Sequence, residues 1–75
     1  MPRLKRVSGA QTVKALERLG FSRVRQKGSH VVLKKQTPEG DVGCVGPLHE
    51  DLAVGTLRGI LRLARVSVED FVRNL

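Results

Sequence analysis

FSRVRQKGSHVVLKK, residues 21 to 35, is the stretch of sequence that decides the fold. Basic residues alternate with other residues up to Lys27, a glycine and a serine follow, and a β-branched run starts at His30. Alternation predicts extended strands, because strand side chains point to opposite faces in turn. Glycine adopts the backbone conformations that tight turns require. The stretch therefore predicts an antiparallel hairpin whose turn spans residues 26 to 29.

The two faces of this hairpin are expected to differ. The basic residues of the first strand are predicted to share one face: Arg23, Arg25 and Lys27. In the returning strand, residues 30 to 35, Val31 and Leu33 are predicted to face the core. The opposite face of that strand is then predicted to carry His30, Val32 and Lys34.

A helix is predicted before the hairpin. Ser8 and Gln11 have the spacing of a capping box, in which each side chain bonds to the other residue's backbone amide. An apolar stripe follows at helical spacing: Thr12, Ala15, Leu16 and Leu19. Gly20 predicts the end of this helix, because glycine enters the left-handed conformation of a helix C-terminus without steric cost.

After the hairpin the chain is predicted to form one more strand and two more helices. Residues 37 to 41 have turn composition, and a short strand over residues 42 to 45 is expected to end where Gly46 and Pro47 break the pairing. A second helix is expected after Thr56, with one apolar face formed by Leu57, Ile60, Leu61 and Ala64. A short last helix is expected to direct its apolar residues inward: Val68, Phe71, Val72 and Leu75.

These elements predict one α+β domain over residues 1 to 75, in the order α-β-β-β-α-α. The helices are expected on one face of a three-stranded antiparallel sheet, and the other face is expected to stay free. A chain of 75 residues is near the lower limit for a self-sufficient core. Residues 1 to 6 are expected to form a flexible basic arm.

Charge is distributed unevenly along the chain. Residues 1 to 36 contain ten Lys or Arg and one acid, which gives +9, whereas residues 37 to 75 contain four Arg and six acids, which gives −2. A basic half of this kind predicts polyanion binding, although a merely solvated basic surface would have the same composition. Phe21 and Phe71 are the only aromatic residues besides histidine, so base stacking is not the expected binding mode.

Other classes of protein are not expected from this composition. No apolar run approaches the ~20 residues of a membrane span and no signal-peptide core is visible, so a cytoplasmic protein without a membrane partner is expected. Cys44 is interpreted as a small core residue, because one cysteine and two distant histidines have no recognised zinc-ligand spacing. No carboxylate cluster suited to magnesium is visible, and neither a metal nor another cofactor is expected.

His30 is the candidate catalytic residue. Histidine both accepts and donates protons near neutrality, because its ordinary pKa is about 6.5. His30 lies between Lys27 and Lys34 after a glycine turn, so basic side chains would hold RNA while the imidazole exchanges a proton with it. A structural histidine on a strand is the alternative interpretation.

Five motifs in this order resemble those of the HicA family of toxin ribonucleases: Gly20-Phe21, Gln26-Lys27-Gly28-Ser29-His30, Pro47-Leu48-His49, Gly55-Thr56-Leu57 and Ile60-Leu61. The resemblance runs over nearly the whole chain. It implies a fold like that of the double-stranded-RNA-binding domain, cleavage of mRNA, and neutralisation by a HicB-like antitoxin. It also implies that His30 is the family's essential histidine. Gly46 stands where the family more often has an aliphatic residue, so an early end or loose packing of the third strand is expected there.

The other candidate residues are assigned to RNA binding or left open. Phosphate contacts without sequence readout are expected from Arg23, Arg25, Lys27 and Lys34. Gly28 is expected to need a positive φ in the turn. Ser29 either hydrogen-bonds a phosphate or only satisfies the turn. His49 is a second proton donor in principle, but an ordinary exposed histidine is the preferred interpretation.

Three functions remain open from the sequence. The first is a metal-independent endoribonuclease that acts as the toxin of a toxin–antitoxin pair and needs no homo-oligomer. The second is a non-catalytic double-stranded RNA-binding module, for which the same basic surface would suffice. The third is an interaction protein whose basic face serves an acidic partner. Loss of His30 separates the first from the second, because binding alone would hardly depend on it.

Overall fold

The computed structural model describes residues 3–75; residues 1 and 2 lie outside the described part of the chain. The elements are α1 (Gly9–Arg18), β1 (Ser22–Lys27), β2 (His30–Thr37), β3 (Gly40–Pro47), α2 (Val54–Ala64) and α3 (Val68–Arg73). This is the predicted α-β-β-β-α-α order, and the predicted α+β class is confirmed. No helix within residues 3–75 combines the length and the apolar character needed to cross a membrane.

The three strands form one sheet in the order β1-β2-β3, with both neighbouring pairs antiparallel. Val31 and Leu33 of β2 and Val42 and Cys44 of β3 are buried on one face. Helices α1 and α2 pack against β3 on this helix-covered face. The alternate residues of β2 and β3 lie on the other side, which we call the open face. The predicted free face of the sheet is therefore present.

Helix α1 begins and ends as the sequence predicts. The Ser8 hydroxyl accepts a hydrogen bond from the Gln11 amide at 3.0 Å, and the Gln11 side chain accepts one from the Ser8 amide at 2.9 Å. Both bonds of the capping box are present, so two of the amides left free at a helix start are satisfied. After the helix, Gly20 has φ +101°, the conformation for which glycine was expected.

Strand β3 continues through Gly46 to Pro47, so the prediction that these two residues break the pairing was wrong. Pro47 lies opposite His30 and Gly46 opposite Val31, and the strand is eight residues long. The Leu48 amide donates to the Ser29 carbonyl at 2.6 Å. Hydrogen-bonded and non-hydrogen-bonded pairs alternate along an antiparallel ladder, so the pair of Pro47 and His30 needs no amide from residue 47. Proline is tolerated there because β3 is an edge strand.

Strand β1 contains an irregularity that the sequence pattern did not predict. Arg23 lies opposite Leu33 and Arg25 opposite Val32, so Val24 is an extra residue in this strand, a β-bulge. Residues directly opposite each other in a ladder share a face. Arg23 therefore lies on the helix-covered side, while Arg25 and Lys27 lie on the open face. The prediction that all three basic residues share one face is wrong.

The C-terminal helices follow the predicted pattern with two differences. All four apolar residues predicted for α2 are buried, but the helix begins at Val54 rather than after Thr56. Phe71 of α3 is fully buried, whereas Leu75 is 49% exposed, because the helix ends at Arg73 and its periodicity does not extend to residue 75. The inward position predicted for Leu75 is therefore wrong.

The segment before α1 has no regular secondary structure from residue 3 to residue 8. Leu4 and Val7 are partly buried against the core. The Arg6 guanidinium forms an ion pair with Asp51 at 2.8 Å. The predicted basic arm also includes residues 1 and 2, which lie outside the described residues, and its flexibility stays a prediction.

Candidate active site

His30 is positioned by a two-residue turn. Lys27 and His30 are paired at the ends of β1 and β2, so only Gly28 and Ser29 connect the strands. Gly28 has φ +58° and Ser29 does not have a positive φ, the pattern of a type II′ hairpin turn. The predicted need for a positive φ at Gly28 is confirmed. A Cβ atom at Gly28 would meet nothing within 4 Å, so glycine is required there by backbone conformation rather than by space.

His49 lies beside His30. Pro47 is opposite His30, and the chain leaves β3 two residues before His49. The centroids of the two imidazole rings are 6.5 Å apart, with the ring planes inclined at 73°. Both side chains are exposed. The structure thus brings together the two histidines of the chain at one end of the sheet.

The loop that carries His49 is anchored from both sides. On one side, its Leu48 amide bonds to Ser29 in the turn before His30. On the other side, the amide of Gly9, the first residue of α1, donates to the His49 carbonyl at 2.7 Å. The Leu52 amide donates to the Val7 carbonyl at 2.9 Å, and the ion pair from Arg6 holds Asp51. Several main-chain bonds therefore fix the position of the His49 backbone.

Three basic side chains share the open face with His30. We call Arg25, Lys27 and Lys34 the basic cluster; all are exposed. Within residues 3–75, no carboxylate forms an ion pair with any of them. Arg23 differs, because its guanidinium lies 3.3 Å from the Glu17 carboxylate of α1. Arg25, Lys27 and Lys34 are therefore not ion-paired, whereas the charge of Arg23 is partly neutralised.

The centre of the open face is apolar. Val32 and Val45 lie opposite each other across β2 and β3, and Val45 is 45% exposed. A groove of about 430 Å³ lies at the far end of β2, lined by Gly20, Ser22, Val24, Lys34, Lys35, Gln36 and Asp41. Neither histidine lines this groove. The histidines, which are the candidate proton-transfer groups, lie on the open surface outside this groove.

The cysteine and the acidic residues do not form a further site. Cys44 is buried in the core, and burial raises the pKa of its thiol to about 11, so the thiol stays protonated and unreactive. Its interpretation as a core residue agrees with this position. Across residues 3–75, no three His, Cys, Asp or Glu side chains come together as metal ligands would.

Sequence reasoning missed two features of this site, although a signal existed for one. In an antiparallel meander, the end of the third strand lies beside the start of the second. His49 follows the end of β3 and His30 starts β2, so their proximity follows once β3 is extended to Pro47. The contact between Gly9 and the His49 loop had no signal in the sequence, because it joins segments that no periodic pattern relates.

The fold and this surface define a small basic α+β protein with a histidine pair at one end of an open sheet face. The family model described as the HicA toxin of bacterial toxin–antitoxin systems matches residues 9–66, from the start of α1 to just beyond α2. The chain therefore belongs to the HicA toxin family, and the predicted membership is confirmed. This membership supports a toxin role. A comparison with curated proteins gives no match.

Proposed function

We propose that this toxin is a metal-independent endoribonuclease that cleaves mRNA, with His30 as general acid or base. One observation carries most of the proposal: His30 is an exposed imidazole on the same open face as the basic cluster, which has no ion-pair partner within residues 3–75. Uncompensated cations attract a polyanion and hold its phosphates near the imidazole. Membership of the HicA family supports the same assignment.

The reaction needs only the RNA and proton transfer. The ribose 2′-oxygen attacks the adjacent phosphorus, a P–O2′ bond forms and the P–O5′ bond breaks. One fragment then ends in a 2′,3′-cyclic phosphate and the other begins with a 5′-hydroxyl. A base removes the 2′-hydroxyl proton, and an acid supplies a proton to the leaving 5′-oxygen. A histidine can perform either transfer near neutral pH.

The basic cluster would position the substrate and stabilise charge. Negative charge grows on the non-bridging oxygens as the 2′-oxygen attacks, and cations aimed at these oxygens lower the barrier. Lys27 is the member of the cluster paired directly with His30. Contacts of this kind fix the position of the phosphates without reading the bases. The Ser29 carbonyl accepts the Leu48 amide, and the Ser29 hydroxyl would bind a phosphate.

A HicB-like antitoxin would neutralise the toxin most simply by covering the open face. A partner surface that is acidic where it meets residues 23 to 35 would complement the basic cluster. Such a surface would block access of RNA to His30 without distorting the fold. A complex that leaves His30 exposed to solvent would require a different mechanism of inhibition.

The proposal is tested by the chemistry of the cleaved ends. We expect the purified protein to cut single-stranded RNA in the presence of EDTA and to leave 2′,3′-cyclic phosphate and 5′-hydroxyl ends, measured by mass spectrometry. An RNA with a 2′-deoxyribose at the cleaved position is the matched control and should stay intact. Cleavage that requires an added divalent cation, or that leaves 5′-phosphate ends, would contradict the proposal. Salt-dependent RNA binding without any cleavage would instead favour a non-catalytic RNA-binding module.

A further inference from the structure

We propose that His49 is the second proton-transfer group of the active site, so that His30 and His49 divide the roles of base and acid. This inference rests on the proposed ribonuclease function and assigns the residue that completes it. Cleavage through the 2′-hydroxyl moves two protons, one from the attacking oxygen and one to the leaving oxygen. A single imidazole would have to serve both oxygens, which lie on opposite sides of the phosphorus in an in-line displacement.

The separation of the two rings fits this division. A group that exchanges a proton with one of these oxygens must approach it to roughly 2.6–3.2 Å. Two such groups flanking one phosphate must therefore be several ångströms apart and not in contact with each other. The ring centroids of His30 and His49 are 6.5 Å apart, and both side chains are exposed at the same end of the sheet. A phosphate can reach both imidazoles from solvent.

The main chain fixes the relative position of the pair. Leu48, the residue before His49, donates its amide to the carbonyl of Ser29, the residue before His30, at 2.6 Å. The His49 carbonyl is held by the Gly9 amide at 2.7 Å. Groups that act together in catalysis require this kind of fixed geometry, because small displacements of a proton-transfer group reduce the rate strongly.

Two members of the basic cluster, Arg25 and Lys27, lie on the side of His30 away from His49, while Lys34 lies on β2 with His30. Lys27 and Arg25 are on β1, across β2 from the strand that leads to His49. On the other side of His30, His49 is followed directly by Glu50 and by Asp51, which is ion-paired with Arg6. The RNA backbone would therefore approach across Arg25 and Lys27 and bring one phosphate to the exposed side of the histidine pair.

The experiment removes each histidine and changes the leaving group. His49→Gln and His30→Gln are compared with the wild type on ordinary RNA and on an RNA whose 5′-bridging oxygen at the cleaved bond is sulfur. A thiolate leaves without a proton, because thiols are far more acidic than alcohols, with a pKa of about 8.5 for cysteine. A variant that has lost the general acid should therefore regain cleavage activity on the sulfur substrate, whereas a variant that has lost the general base should not.

We expect both variants to lose about a hundredfold or more on ordinary RNA. We expect one of the two, and not both, to return to near the wild-type rate on the sulfur substrate. Wild-type activity of His49→Gln on ordinary RNA would overturn the inference, and so would the same response of both variants to sulfur. His49→Asn provides a second variant if the first does not fold, with circular dichroism as the check. Failure of the wild type to cleave RNA would instead reject the proposed function itself.

Discussion

The structure has no space for a side chain at Gly9. An ideal Cβ on Gly9 would lie 1.9 Å from the Pro47 carbonyl oxygen and 2.7 Å from the Leu48 Cα atom. Both neighbours are main-chain atoms, which cannot rotate away as a flexible side chain can. The same glycine donates its amide to the His49 carbonyl. At this position the absence of a side chain lets α1 approach the loop that carries His49.

Gly9→Ala is therefore expected to destabilise the protein by about 1–3 kcal/mol, as overpacking of a filled site does. Gly59→Ala is the matched control, because Gly59 is also helical and a Cβ there meets nothing within 4 Å. That substitution should stabilise the protein by roughly 0.5–1 kcal/mol, since alanine is the better helix former. Urea unfolding midpoints measure both effects. Equal midpoints for the two variants would contradict the close approach at Gly9.

The positions of the two histidines could be predicted from the sequence only in part. The position of His30 on the open face followed from the alternation of Val31 and Leu33 toward the core, and the structure agrees. The adjacency of His49 did not follow, because the loop direction after β3 depends on where that strand ends. Local preference predicts that Pro47 ends the pairing, whereas proline is tolerated on an edge strand.

At the scale of elements, the bulge in β1 changes which side chains face the substrate. Because Val24 is an extra residue, the residues of β1 before it point to the opposite face from the one that regular alternation would give them. Arg23 is thereby directed to the side of α1, where it meets Glu17. Arg25 and Lys27 remain on the open face with His30. Alternation in the sequence cannot reveal this, because a bulge interrupts the period of two without leaving a compositional signal in β1.

Arg23 and Arg25 flank the bulge residue Val24, and we expect their substitutions to have different effects on RNA binding. Arg25→Ala should weaken binding of all RNA sequences alike and lower the slope of log affinity against log salt by roughly one unit, the loss of one phosphate contact. Arg23→Ala should leave that slope nearly unchanged, because its guanidinium is paired with Glu17 away from the open face. Fluorescence anisotropy titrations between about 50 and 200 mM salt measure both slopes. Equal losses for the two variants would show that Arg23 also contacts RNA.

The helices could be predicted more closely than the strands. The apolar stripe of α1 and its capping box set its start, and the structure has both. The four predicted core residues of α2 are all buried, although the helix starts at Val54, where no side chain caps it. The ends of the strands were predicted less well than the helices, because pairing across the sheet continues through residues whose local preferences favour turns. Tertiary pairing overrode local preference at Gly46 and Pro47.

At the scale of the whole molecule, the helices cover one face of the sheet and His30 lies on the other. The apolar core lies between the sheet and the helices, and the largest fully buried side chains include Phe71, Leu16 and Leu33. No candidate site residue belongs to that core. The fold is therefore a scaffold that leaves one sheet face open for a ligand. Substitutions on the open face should alter function with little effect on stability.

The central claim is that His30 acts in catalysis and not in folding or binding. The most direct test is the single-turnover cleavage rate of His30→Ala against the wild type. Because His30 is exposed, we expect the free energy of unfolding to change by no more than about 0.5 kcal/mol. RNA binding should weaken by no more than about 1 kcal/mol, the value of one neutral hydrogen bond. The cleavage rate should fall about 10²- to 10⁴-fold, as expected for loss of a general acid or base. A folded His30→Ala protein that cleaves RNA at the wild-type rate would contradict the claim.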